Sequence, residues 1–176
     1  MSEPSVINLL IVDRSRSDID HIVKTLRGDG YQLELTDTDQ VEEARSAIDY
    51  QPLELILLRL ADELPTIAEV RLMVAEAQQD IPVVVVVDDE HRSAHRPARL
   101  LDEGADNYFY LDDADHLVAV IRKELRHLQD RKREKSFEVR FREGEIRSQA
   151  LLENIQEAIA YIHEGVHAYA NPAYLR

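Results

Sequence analysis

Two runs constrain this chain more than anything else in it: IPVVVVV at residues 81–87 and LELILLRL at residues 53–60. Both are too apolar to leave a side facing water, and their length suits strands, so each reads as an interior strand covered on both faces. INLLIVD at 7–13 is a third run of the same kind, while YQLELT at 31–36 and NYFYL at 107–111 are weaker strands. The stretches between them carry helical spacing. Ile19, Ile22, Val23 and Leu26 recur at intervals of three and four, with Ser15 or Ser17 placed to cap the helix and Gly28 and Gly30 to stop it. Asp39 is expected to cap a second helix that turns Val41, Ala44, Ala47 and Ile48 inward. TIAEVRLMVAEAQQ supplies a third, burying Ile67, Val70, Met73, Val74 and Ala77. HRSAHRPARLLDEGA gives a weaker fourth, in which Pro97 is tolerable only near the first turn.

Strands that alternate with helices over connections too long for hairpins pair in parallel, so the expected fold is α/β, a doubly wound five-stranded parallel sheet. Sites in such sheets lie beyond the carboxyl ends of the strands, beside the point where strand order reverses. The positions to inspect are therefore Asp13 and Arg14, Arg59 and Asp62, Val87 and Asp88, and Tyr108 to Leu111.

A last helix begins near Asp113 with Leu117, Ile121, Leu125 and Leu128 at helical spacing, and its pattern runs on without punctuation to Gly144. Past Leu128 the apolar seam thins to Phe137 and Phe141, then returns with Ile146, Leu151, Leu152 and Ile155. That pattern suits either a two-stranded coiled coil or a solvated connector. Of the net charge of −14, residues 1–121 contribute 10 Lys/Arg against 26 Asp/Glu, which argues against a grip on nucleic acid or anionic lipid. Residues 122–147 carry 10 Lys/Arg against 6 Asp/Glu, but the signs are interleaved and no aromatic platform accompanies them. The chain has no cysteine, and no apolar run or leader of membrane type is evident, so a reducing cytoplasmic setting without membrane insertion is expected.

Five strand–helix units, an acid after the first strand, the IPVVVVV strand and then GADNYFYL resemble the receiver domain of two-component response regulators, the CheY-like member of the flavodoxin-like folds, over roughly residues 5–128. In that family two neighbouring acids hold magnesium, an aspartate ending the third strand takes the phosphoryl group, a Thr or Ser ends the fourth strand and a Lys follows the fifth. Carried across, the first acid falls on Asp13 and its neighbour is Arg14. The phosphoacceptor position falls on Arg59, the hydroxyl position on Val87, and the lysine position on Leu111, with Asp112 where a proline often follows. Tyr108 matches the family's switch aromatic. One carboxylate beside guanidinium groups is a poor magnesium site, and arginine is no nucleophile toward phosphate. Valine and leucine supply neither the hydrogen bond nor the charge that a phosphoryl group needs. The resemblance thus implies a degenerate, non-catalytic receiver in which Asp13, Arg14, Arg59, Val87 and Leu111 form a pseudo-active site, with no metal and no cofactor.

Arg59 is expected to direct its guanidinium toward Asp13; the bland alternative is that it snorkels to solvent over the sheet edge. Asp62 is the alternative phosphoacceptor, displaced from the expected position by three residues and a longer loop. On that alternative the domain is an active phosphoacceptor in a phosphorelay. His91 and His95, four apart, make a metal site on a helix face conceivable, but such a pair is more often a solvated helix face, and His163 and His167, flanking a hairpin turn, mean even less. No glycine array cradles a nucleotide, and no Ser-His-Asp set stands at the strand ends.

Residues 149–176, with AIAYI, a turn at Glu164-Gly165, VHAYAN and a helix starting at Pro172, resemble the opening of a PAS domain. This suggests domains of 1–128 (receiver), 129–148 (charged helical linker) and 149–176 (incomplete PAS start). The whole arrangement is similar to the amino end of FimX-type regulators, which join receiver, PAS, diguanylate-cyclase-like and phosphodiesterase-like domains in cyclic-di-GMP signalling around type IV pili. The resemblance implies a homodimer that docks signalling or polar-localisation proteins. It also leaves open a regulatory part of a cyclase or phosphodiesterase whose catalytic domains follow residue 176.

Overall fold

A computed structural model describes residues 6–88, 97–154, 156–164 and 166–175. The chain divides into two compact units, Met1–Gln129 and Asp130–Arg176. In the first, β1 (Val6–Val12), β2 (Gln32–Thr38), β3 (Leu55–Arg59), β4 (Val83–Val87) and β5 (Asn107–Tyr110) form one sheet in the order β2-β1-β3-β4-β5, every pairing parallel. Order reverses between β1 and β3, so the crevice that such sheets use lies at the carboxyl ends of those two strands.

Period-two alternation sorts the core into two layers. Leu9, Ile11, Leu55, Leu57, Val84, Val86 and Phe109 pack with Ile19, Ile22, Val23 and Leu26 of α1 (Arg16–Gly28) and with Leu117, Val120 and Ile121 of α5 (Ala114–Asn154). Leu10, Val12, Ile56, Leu58, Val83, Val85 and Val87 pack with α2 (Val41–Tyr50), α3 (Ile67–Glu76) and Leu100 of α4 (Pro97–Asp102). β3 and β4 are buried throughout, as their uninterrupted apolar runs require. Ser15 is the cap of α1, and its side chain accepts from the Asp18 amide. Thr66 opens α3 with a reciprocal capping box to Glu69.

Three expectations need correction. Asp39 does not cap α2: Gln40 holds that position without a side-chain bond, and the Thr38 hydroxyl accepts from the Gln40 amide instead. Val41 is exposed, because the inward stripe of α2 begins one turn later at Ala44. Ala77 is only half-buried at the carboxyl cap of α3.

In the second unit, α5 continues through Gly144 to Asn154, and β6 (Ala160–His163) pairs antiparallel with β7 (Val166–Ala170). Asn171 ties the hairpin together. Its buried carboxamide accepts from the Ile159 amide at 2.9 Å and the Tyr174 amide at 3.1 Å, and donates to the Glu157 carbonyl at 2.8 Å. The helix expected at Pro172 is a single turn closed by Tyr174 on the Asn171 carbonyl. Gly165 of the predicted hairpin turn, Ile155 and the His91/His95 pair lie outside the described residues.

Candidate functional site

The strand pattern aims three side chains at one spot. Asp13, Arg59 and Asp88 share the parity of Ile11, Leu57 and Val86, so all three point to the α1/α5 face at the mouth of adjacent strands. The α1 amino terminus covers that mouth, which brings Asp18 of its first turn alongside. Arg59 meets all three acids. Its Nε donates to Asp13 Oδ2 at 2.7 Å, its Nη1 to Asp88 Oδ2 at 2.8 Å and its Nη2 to Asp18 Oδ2 at 2.5 Å. The Arg59 side chain is 10% exposed and that of Asp13 0%, whereas those of Asp18 and Asp88 are 27% and 26% exposed. The remaining Asp13 oxygen accepts from the Ser15 amide at 2.9 Å.

The fork geometry of a guanidinium allows these three directions at once, which an ammonium could not reproduce with the same fixed spread. Burial alone would lower the Arg59 pKa. The bond to Asp13 and the charges of Asp13, Asp18 and Asp88 outweigh it and raise the pKa above its ordinary value. The cation is permanent, and it sits at the carboxyl end of β3. Snorkelling is excluded by the geometry.

The structure does not gather every residue that the resemblance suggested. Arg14 turns away and pairs with Glu63 at 2.7 Å in an exposed position, so the mouth holds one guanidinium and not two. Val87 is buried in the opposite layer, with α2 and α3, and Leu111 packs at the edge of the α1/α5 layer. Their backbones are joined, the Leu111 amide donating to the Val87 carbonyl at 2.9 Å. Tyr108 is half-buried against the α2/α3 layer, its ring edge-on to Tyr110 at 5.7 Å and to His116 at 5.9 Å. Asp62 is exposed and lines a cavity of about 750 Å³ with Leu60, Leu64, Pro65, Ile67 and Leu100.

Asp18 was missed in the sequence because its role depends on where the α1 terminus lands. An acid in a first helical turn is also favoured by the helix dipole, so its type alone signals nothing more. Asp88 stands at a strand end, but nothing in its local sequence marks it as a partner of Arg59. Among the described residues no group of three or more His, Cys, Asp or Glu side chains is arranged to hold a metal ion. Nor is any described helix long and apolar enough to cross a membrane.

No protein-family model and no curated protein sequence matches the chain. Solved structures do. The signal receiver domain of a Luxo repressor protein from Vibrio parahaemolyticus aligns with a TM-score of 0.59 at 17% identity, over 73% of this chain and 96% of that one. The first unit has the receiver fold. NtrX from Brucella abortus aligns with a TM-score of 0.60 at 18% identity, over 76% of this chain but 30% of its own. An orphan response regulator of H. pylori aligns at 0.51 with 20% identity, over 68% of this chain and 96% of that one. At such identities the likeness establishes the receiver fold of the sheet unit and leaves the chemistry at its mouth to the residues present.

Proposed function

We propose that the sheet unit is a degenerate, non-catalytic receiver that transmits signals by dimerisation and protein docking, independently of phosphorylation. The observation that carries this reading is Arg59, seated at the end of β3 and bonded to Asp13, Asp18 and Asp88. A receiver needs a free carboxylate there, two unencumbered acids for magnesium, and a hydroxyl and a lysine to clasp the transferred group. Here the first is a cation, the one acid of the magnesium pair that is present, Asp13, is its partner while Arg14 stands in place of the other, and Val87 and Leu111 stand in the last two positions. A site already satisfied internally has no differential affinity for a phosphoryl group and hence no means of being switched by one.

Around that core the reading extends to residues 1–128 as the receiver, 129–148 as a charged linker and 149–176 as the opening of a PAS domain. The region of about 91–128 would serve as a docking face. The antiparallel β6–β7 hairpin, locked by Asn171, supports the PAS part. The structural neighbours, a signal receiver domain and an orphan response regulator, support a place in bacterial signalling. The order of parts supports the amino end of a FimX-type cyclic-di-GMP regulator, cytoplasmic and homodimeric, docking other signalling or polar-localisation proteins and neither binding nucleic acid nor entering the membrane.

Beryllofluoride with magnesium tests the core of this. A receiver with a working site binds the pair tightly and gains thermal stability by mass action. This protein is expected to show no magnesium-dependent rise in its unfolding midpoint; a saturable rise abolished by omitting magnesium would refute the proposal.

A further inference from the structure

Every described side chain from Lys132 through Leu151 of α5 is exposed, a stretch of solvated helix that includes Phe137 at 70%, Phe141 at 59% and Leu151 at 62%. Helices gain most of their stability from packing an apolar face, so large exposed apolar groups on so long a segment call for a covering surface. Phe137, Phe141, Gly144, Ser148 and Leu151 follow one another at steps of four, three, four and three. That is the alternation of d and a positions in a heptad, and it puts all five on one seam. The rings of Phe137 and Phe141 lie stacked, with centroids 6.3 Å apart, on that seam. Glu134, at the preceding a position, bounds it.

The charges beside the seam decide what covers it. In this register Arg133 and Arg140 fall at g positions and Glu138 and Glu145 at e positions, while the exposed Val139 and Ile146 fall at f positions, on the side away from the seam. A parallel, in-register partner of the same sequence would set each g residue opposite the e residue five positions further along the other helix. That gives Arg133 to Glu138 and Arg140 to Glu145, each occurring twice by symmetry. An antiparallel copy would oppose g to g and e to e, placing arginine against arginine and glutamate against glutamate. Gly144 lets the two helices approach closely, and Ser148, a polar residue at an a position, favours a fixed register at some cost in stability.

We propose that Phe137–Leu151 is a parallel, in-register two-stranded interface between two copies of this chain. The proposal rests on the dimeric reading above and assigns the surface, direction and register that the reading leaves open. It differs from the face of about 91–128 offered there for docking.

The test uses the full chain. Sedimentation equilibrium is run on the wild-type protein, on R133E/R140E, on E138R/E145R and on an equimolar mixture of the two variants. Each variant alone opposes like charges at all four pairings and is expected to self-associate about tenfold more weakly than wild type, whereas the mixture recovers wild-type association. Exposed side chains are exchanged, so folding is left intact, and circular dichroism verifies it. Direction is read separately. The chain has no cysteine, so S148C introduces the sole thiol. Under mild oxidation it is expected to give a disulfide-linked dimer, whereas V139C, facing away from the seam, is not. A wild-type dimer that both charge variants match, or an S148C that crosslinks no better than V139C, overturns the proposed interface and leaves dimerisation through another face. A monomeric wild type overturns the interface and the dimeric reading together.

Discussion

Replacing Arg59 with methionine keeps an unbranched stem and most of the volume of the side chain while removing its charge and all three ion pairs. The cost is set by what is stranded. Asp13, with a fully buried side chain, would keep only the Ser15 amide, and breaking a buried pair from one side costs about 3–5 kcal/mol. Asp18 and Asp88 are each about a quarter exposed and can turn to water, so their share is small. An overall loss of about 3 kcal/mol is expected, which at a urea slope of about 1.5 kcal/mol/M moves the unfolding midpoint down by about 2 M. The assay is urea unfolding followed by circular dichroism and by tyrosine fluorescence, since the chain has no tryptophan. Asp13→Asn in the same background removes the stranded charge and should recover about 2 kcal/mol, so the double variant is more stable than Arg59→Met alone. A loss below about 1 kcal/mol, or a double variant no better than the single, would refute the view that Arg59 and Asp13 satisfy one another in a buried site.

Thr66→Ala should cost about 1 kcal/mol in thermal unfolding by removing the cap of α3. The bonds from the Thr66 amide and hydroxyl lower the Glu69 pKa below 4.5, so its contribution is present above that pH and fades as pH falls through the lowered value; Glu69→Gln should flatten this part of the acid stability profile. Phe109 is fully buried between the sheet and the α1/α5 layer, and Phe109→Ala should cost about 3–5 kcal/mol by the same urea assay. Asn171→Ala should release the β6–β7 hairpin, seen as lost hydrogen-exchange protection at the Ile159 and Tyr174 amides with the sheet unit unchanged.

The sheet was legible because its strands announce themselves locally: five consecutive valines in β4 and the apolar run of β3 allow no other placement. Arg59 was conspicuous for the same reason, as a charge inside such a run. Its pairing with Asp13 follows from neighbouring strands sharing a parity, so that too could be read in advance. Asp18 could not, since its approach depends on how α1 packs back over β1, a contact 41 residues from Arg59 in sequence. The same limit accounts for Arg14. Its adjacency to Asp13 suggested a shared site, but successive residues leaving a strand point to opposite sides, and Glu63 on a distant loop takes the outward one. At Asp39 the error was local: a carboxylate suits a cap, but Thr38, a residue earlier, already bonds the Gln40 amide.

The central claim is that the mouth of this sheet holds a fixed cation where phosphoryl transfer would need a nucleophile. Incubating the full chain with magnesium and a small-molecule phosphodonor such as acetyl phosphate, then recording the intact mass, tests it most directly. The expected result is an unchanged mass. A species heavier by one phosphoryl group, labile as an acyl phosphate is and abolished by Asp13→Asn or Asp62→Asn, would contradict the account.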